Sequence, residues 1–314
     1  MRVLIISDSL TVPGAYAIQG RLYAKFLQSM GHEVLYFGTT YYGAPINYDG
    51  IQMVGGAARG DLAGDGLIDH YARQFKADVI MTFKDVYIYH PDTLRSLSLP
   101  WVPIVPIDTE PVNTSTLAQL RYAALVIAVS KNGQQMLAEQ HIPALLAPHV
   151  IDVDYWTPGD KTAARLKLGL PTDQFIAAFV GQNNSKPSRK NLDQIILAWY
   201  EFVSTRPEHR GAVLYLHTGL DNKYGGLDLE RLIYSIHLPK ANYRAPDGAY
   251  YDTGSIPQDE VRDVYRAADV LVNPSAGGGF EACTVEAQSV GVPVIGCDFT
   301  AMRDTVGVGW RIGP

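Results

Sequence analysis

Short apolar runs recur along the chain at Val3 to Ile6, Val34 to Phe37, Val79 to Met81, Val102 to Val105, Leu125 to Val129, Ile176 to Val180, Val213 to Leu216, Val270 to Val272 and Pro293 to Ile295. Their length and lack of polar alternation predict strands buried on both faces, the signature of parallel sheets. Between them the apolar residues fall at helical spacing. Ile18, Leu22, Phe26, Leu27 and Met30 predict one buried helix face, and Leu192, Ile195, Ile196, Trp199 and Phe202 another. Alternation of strand and helix predicts an α/β class with helices on both sides of each sheet. The periodicity lapses between Pro148 and Asp160 before a fresh helix and strand begin, so two domains are expected, 1–158 and 159–314. No internal repeat interrupts this order.

Composition narrows the classes. The chain has 314 residues, enough for two domains with separate cores. With 47% hydrophobic residues it is too apolar for disorder, and 29 Gly with 19 Pro exclude a coiled coil. A net charge of −6 lacks the basic balance of a dedicated nucleic-acid binder. No stretch reaches the roughly 20 apolar residues of a membrane span, and Val3 to Ile6 is too short for a signal peptide's hydrophobic region. A cytoplasmic protein is expected. The cysteines, Cys283 and Cys297, lie in apolar sequence and read as buried thiols.

Two α/β domains suggest a cleft with ligands near the carboxyl ends of strands. Ser7 and Asp8, Lys84 and Asp85, and Asp108 with Glu110 follow first-domain strands, although ordinary loop polarity explains any one of them equally well. The turn after the first strand, containing Gly14 and Gly20, lacks the G-x-G-x-x-G of a dinucleotide site. In the second domain Arg189 and Lys190 stand where a helix starts, an unfavourable place for cations that a bound diphosphate would make favourable. Solvated loop residues are the competing reading. The richest segment runs from Asn273 to Ile295. There a strand ends in Gly277, Gly278 and Gly279, a helix begins near Ala282, and Glu286 sits early in that helix, placed to accept hydrogen bonds from sugar or ribose hydroxyls. No His, Asp or Glu cluster has metal-ligand spacing.

These residues resemble the retaining GT-B glycosyltransferases of glycosyltransferase family 4. The resemblance is carried by Gly31-His32-Glu33-Val34, Ser130 with Gly133, Pro148 to Pro158, Arg189-Lys190-Asn191 and Tyr265 to Ser275. It implies two Rossmann-like domains, an acceptor held by the first and a nucleotide diphosphate sugar by the second, with no metal and no separate cofactor. It further implies Lys190, Glu286 and Asp108 as catalytic residues, and a donor site of Arg189, Lys190, Gly278, Gly279, Phe280, Glu281, Ala282, Cys283, Thr284 and Glu286. Gly14, Asp85 and Asp108 fall on the acceptor side. Several positions depart from the family. Gly278 stands where a Glu is usual, Glu281 replaces the second glycine of "G-F-G", Cys283 replaces a proline and Gln182 an arginine. The chain is shorter than the family norm, so a compact or truncated member lacking the usual crossing helices is expected. The resemblance implies sugar transfer with retention to a glycan, lipid, protein or modified nucleic acid. The alternative is a catalytically weakened nucleotide- or sugar-binding protein on the same scaffold.

Overall fold

A computed structural model describes residues 1–56, 60–254 and 256–313. The chain forms two compact units, residues 1–150 and 151–314. The boundary precedes the expected 158 because Trp156, 4% exposed, is part of the second unit's core, its ring 5.6 Å from that of Tyr265. Arg266 also holds the Thr157 carbonyl at 2.8 to 2.9 Å. Val150, in contrast, exchanges two backbone hydrogen bonds with the buried Gln19 side chain of the first unit.

The first unit contains β1 (Arg2–Ser7), β2 (Glu33–Gly38), β3 (Ile46–Tyr48), β4 (Ile51–Val54), β5 (Val79–Phe83), β6 (Trp101–Val105), β7 (Val126–Ala128) and β8 (Ala144–Leu146). They form one sheet in the order β3-β4-β2-β1-β5-β6-β7-β8, parallel except for the antiparallel pair β3 and β4. The second unit contains β9 (Ile176–Val180), β10 (Val213–His217), β11 (Tyr243–Arg244), β12 (Val270–Asn273), β13 (Val294–Cys297) and β14 (Gly309–Ile312). Its all-parallel sheet runs β11-β10-β9-β12-β13-β14. Strand order reverses at β1 in the first sheet and at β9 in the second, the switch points where doubly wound sheets open a crevice.

Each central strand supplies two cores. Leu4 and Ile6 of β1 pack on one face and Val3 and Ile5 on the other; Ile176 and Ala178 of β9 oppose Ala177 and Phe179 in the same way. This two-sided burial is why the strands read as continuous apolar runs.

The helix Ala15–Ser29 departs from its expected face. Phe26 and Met30 are exposed, whereas Ala17, Gly20 and Ala24 are buried. Small residues bring this helix close to β2: a methyl group at Gly20 would sit 3.1 Å from the ring of Tyr36. The helix Leu192–Thr205 follows its expected pattern, burying Leu192, Ile195, Ile196 and Trp199.

Several family-like motifs prove to serve the fold. Gly31, with φ +83°, terminates the first helix, and the His32 amide donates to the Leu27 carbonyl. Ser130 caps the helix Lys131–Glu139 by accepting from the Gly133 amide at 3.0 Å. Asp269 accepts from the Ile176 amide, Lys161 and the buried Arg165 at 2.7 to 2.8 Å, fastening β9 to the preceding helix.

Candidate functional site

Two loops of the second unit meet at the carboxyl ends of β9 and β12. One leads from Gly181 to Asn191 and the helix Leu192–Thr205, the other from Pro274 to Glu281 and the helix Ala282–Ser289. Two hydrogen bonds join them: the Ala276 backbone amide donates to the Arg189 carbonyl at 2.7 Å, and the side-chain Nδ2 of Asn191 to the Pro274 carbonyl at 2.7 Å. Asn183 braces the first loop, its Nδ2 donating to the carbonyls of Gly219, Asp221 and Leu227 at 2.7 to 3.2 Å. Asn191 and Glu281 both precede a helix with left-handed backbone, at φ +53° and +62°.

The structure brings Arg189, Lys190, Gly278, Glu281 and Cys283 together. Lys190 Nζ donates to Glu281 Oε2, Arg189 Nη1 lies 3.3 Å from Glu281 Oε1, and Asn273 Nδ2 donates to Oε2 at 3.1 Å. Arg189 Nη1 also donates to the Gly277 carbonyl, so this arginine ties the two loops as well as facing the site. Burial pushes the Glu281 carboxyl up, but the charge and hydrogen bond of Lys190, followed by Arg189 and Asn273, outweigh it and leave the group below its ordinary range. The cations that the helix dipole disfavours therefore have a counter-ion that spacing did not reveal.

Around this pair the helix start is ordered. Thr284 donates to the Glu281 carbonyl through both its amide, at 3.0 Å, and its hydroxyl, at 2.7 Å. The Gly278 amide donates to Thr300 Oγ1 at 3.1 Å, and Phe280 is 9% exposed. Gly279 continues the loop, and Ala282 and Cys283 form the first helical turn. Burial, reinforced by Glu281, raises the Cys283 thiol well above its ordinary value and so favours its protonated form. Glu286 accepts from the Tyr265 hydroxyl at 2.8 Å. Burial raises Glu286 to about 7, against the lowering effect of that bond. Its charge thus changes near neutrality.

In the first unit, Asp85 and Asp108 line one pocket of about 10 Å³ with Tyr87 and Asn113. That volume has room for one water. Asp85 accepts from the Tyr16 hydroxyl at 2.8 Å, and Gly14 begins the helix that carries Tyr16. Lys84, 5% exposed, is bound to Asp8, Thr39 and the Leu62 carbonyl at 2.7 to 2.9 Å, which uses the three hydrogens of its ammonium. Sequence reasoning assigned no part to Asn273 or Tyr265, although both lie in the motif from Tyr265 to Ser275. They hold the two carboxylates of the site.

The comparisons agree with this architecture. Residues 174–312 match the family described as Glycosyl transferases group 1. A D-inositol 3-phosphate glycosyltransferase of Catenulispora acidiphila is 32% identical over 147 residues, covering 46% of this chain and 32% of the relative. One from Acidothermus cellulolyticus is 29% identical over 163 residues, covering 51% and 35%. The matches thus span about a third of these relatives' own length. Among solved structures, sucrose-phosphate synthase of Thermosynechococcus elongatus superimposes with a TM-score of 0.76 at 17% identity, covering 97% of this chain and 83% of that one. Anabaena HepE in complex with UDP gives 0.69 at 16%, covering 100% and 86%. WaaG, a glycosyltransferase involved in lipopolysaccharide biosynthesis, gives 0.73 at 14%, covering 100% and 86%. No helix among the described residues is long and apolar enough to cross a membrane. Residues 174–312, which carry the Lys190 and Glu286 segments, are thus similar to the group 1 glycosyltransferases, and the two α/β sheets have the GT-B fold of these solved structures.

Proposed function

We propose that the protein transfers a glycosyl group from a nucleoside diphosphate sugar to an acceptor hydroxyl with retention of configuration, and that this transfer needs no metal or further cofactor. The observation that carries the reading is the convergence of Lys190, Arg189 and a helix N-terminus at the carboxyl ends of β9 and β12. Such a group of donors suits a diphosphate. The sugar C1 to phosphate oxygen bond breaks while the acceptor oxygen bonds to C1 from the same face. The departing diphosphate oxygen takes the acceptor proton, so the protein stabilises charge and orients both partners.

In this scheme Lys190 Nζ and the amides of Ala282 and Cys283 meet the diphosphate, Arg189 adds positive potential, and ionised Glu286 accepts from ribose hydroxyls. Asp108, with Asp85 beside it, accepts from the acceptor hydroxyl in the first unit. HepE, a neighbour in fold, is described with UDP and glucose, which makes UDP-sugars the first donors to try. The test is release of nucleoside diphosphate from UDP-, GDP- and ADP-sugars with a panel of hydroxyl acceptors, followed by the anomeric configuration of the product. Turnover with one donor and a retained anomer supports the reading. Failure of every donor to turn over, or an inverted product, overturns it.

A further inference from the structure

Positions 278 and 281 carry a reciprocal anomaly. Glu281 has φ +62° and ψ +69°, a conformation that glycine enters freely and L side chains rarely adopt. Gly278, three residues earlier, has negative φ or lies outside the left-handed region, since it is not among the positive-φ glycines. Its lack of a side chain is therefore not a backbone requirement. Space explains it. A Cβ built on Gly278 would lie 2.5 Å from Glu281 Oε1 and 2.8 Å from Cδ, closer than real Cβ atoms come. The Glu281 side chain folds back over Gly278 and fills the volume that any residue there would need.

The folded-back carboxylate is enclosed, its side chain 6% exposed, and it receives Lys190 Nζ, Arg189 Nη1 and Asn273 Nδ2. Of the three ammonium hydrogens of Lys190, one is thereby fixed in direction, which aims the others. A surface counter-ion needs neither an unusual backbone nor an emptied neighbour. Unfavourable backbone retained at a charged site indicates a demand on where the side chain must be.

We propose that Glu281 is a positioning residue that sets the direction of Lys190 from the helix cap, and that Gly278 is glycine because Glu281 occupies its side-chain space. The carboxylate site is thus built by a pair of interdependent positions. The link between 278 and 281 stands on geometry alone, while its role in donor turnover rests on the glycosyl-transfer reading above.

The test is a double-mutant cycle in the full chain with Gly278→Ala, Glu281→Gly and both together, plus the near-isosteric Glu281→Gln, and the swap Gly278→Glu with Glu281→Gly. Thermal and denaturant stability, nucleoside diphosphate affinity, and kcat with KM for the donor are measured. Gly278→Ala should displace the carboxylate and reproduce the loss of Glu281→Gln, roughly tenfold or more in kcat with a smaller change in donor KM. In the Glu281→Gly background the same alanine should cost at least about threefold less than in the wild type. The swap should recover most of what Glu281→Gly loses. Additive effects, a harmless Gly278→Ala, or equal loss in affinity and kcat for Glu281→Gln overturns the inference. If Gly278→Ala does not fold while Gly278→Ala with Glu281→Gly does, the spatial conflict is supported directly; if neither folds, the kcat against KM split of Glu281→Gln decides. Should the wild type turn over no donor, the glycosyl-transfer reading fails by itself, and the stability cycle still reports whether the two positions are coupled.

Discussion

Removing one hydroxyl, by Tyr265→Phe, should make the stability of the second unit depend on pH in a defined way. Tyr265 is fully buried, so the change leaves its packing against Trp156 in place and deletes only the 2.8 Å bond to Glu286. Burial has raised Glu286 to about 7, above its ordinary 4.5. The folded state thus holds this proton more tightly than the unfolded chain, and ionising Glu286 in place opposes folding. That cost is absent below about pH 4.5, grows between there and 7, and is complete above 7, where it reaches at most roughly 3 kcal/mol. The Tyr265 hydroxyl reduces it. A hydrogen bond to a charged group contributes roughly 1.5 to 3 kcal/mol, so its loss should raise Glu286 by a further 1 to 2 pH units. At pH 9 Tyr265→Phe should destabilise by about 2 kcal/mol, or roughly 4 to 8 °C in Tm. At pH 5, with the carboxyl protonated in both proteins, the loss should be about 0.5 to 1 kcal/mol. Urea denaturation at the two pH values measures the difference. Equal losses at pH 5 and pH 9 would refute the assignment of Glu286 as a buried group that titrates near neutrality.

Three further outcomes follow from the same geometry. Nucleoside diphosphate affinity, followed by calorimetry, should rise as pH passes about 7 if ionised Glu286 accepts from ribose, and Glu286→Gln should flatten the profile. Asp269→Ala strands the buried guanidinium of Arg165 and should cost about 3 kcal/mol at neutral pH by denaturant titration. Burial raises Asp269, but Lys161, the Ile176 amide and Arg165 lower it further, so its contribution is present above the ordinary carboxylate range and disappears as pH falls through its lowered value. Ser130→Ala removes the cap on the helix Lys131–Glu139 and should cost about 1 kcal/mol in the first unit without altering nucleotide affinity, which differential thermal unfolding with and without nucleotide would check.

The central strands were legible because burial on both faces leaves an unbroken apolar run, and each expected run lies on a strand of the structure. The strands the pattern missed are short or at edges: β3, β4, β8, β11 and β14. Tyr48-Asp49-Gly50-Ile51 did carry a signal, since Asp-Gly suits a hairpin turn with two positive-φ residues, and these have φ +51° and +79°. The first helix misled because periodicity weights large apolar residues, whereas close approach to β2 selects Ala17, Gly20 and Ala24. At the site, segment order identified the two loops and the helix starts. It could not show that Glu281 folds over Gly278, because side-chain direction from a left-handed residue is set by three-dimensional packing. Nor could it show that Tyr265 holds Glu286, a contact between helices 21 residues apart in sequence.

The central claim, that Lys190 and its neighbouring loops form a nucleoside diphosphate site, is tested most directly by calorimetric titration of UDP, GDP and ADP into the wild-type chain and Lys190→Ala. The account predicts saturable binding of at least one diphosphate and a loss of roughly a hundredfold in its affinity on substitution, the scale of a charge-assisted contact. Binding of none, or undiminished affinity in Lys190→Ala with the fold intact, would contradict it.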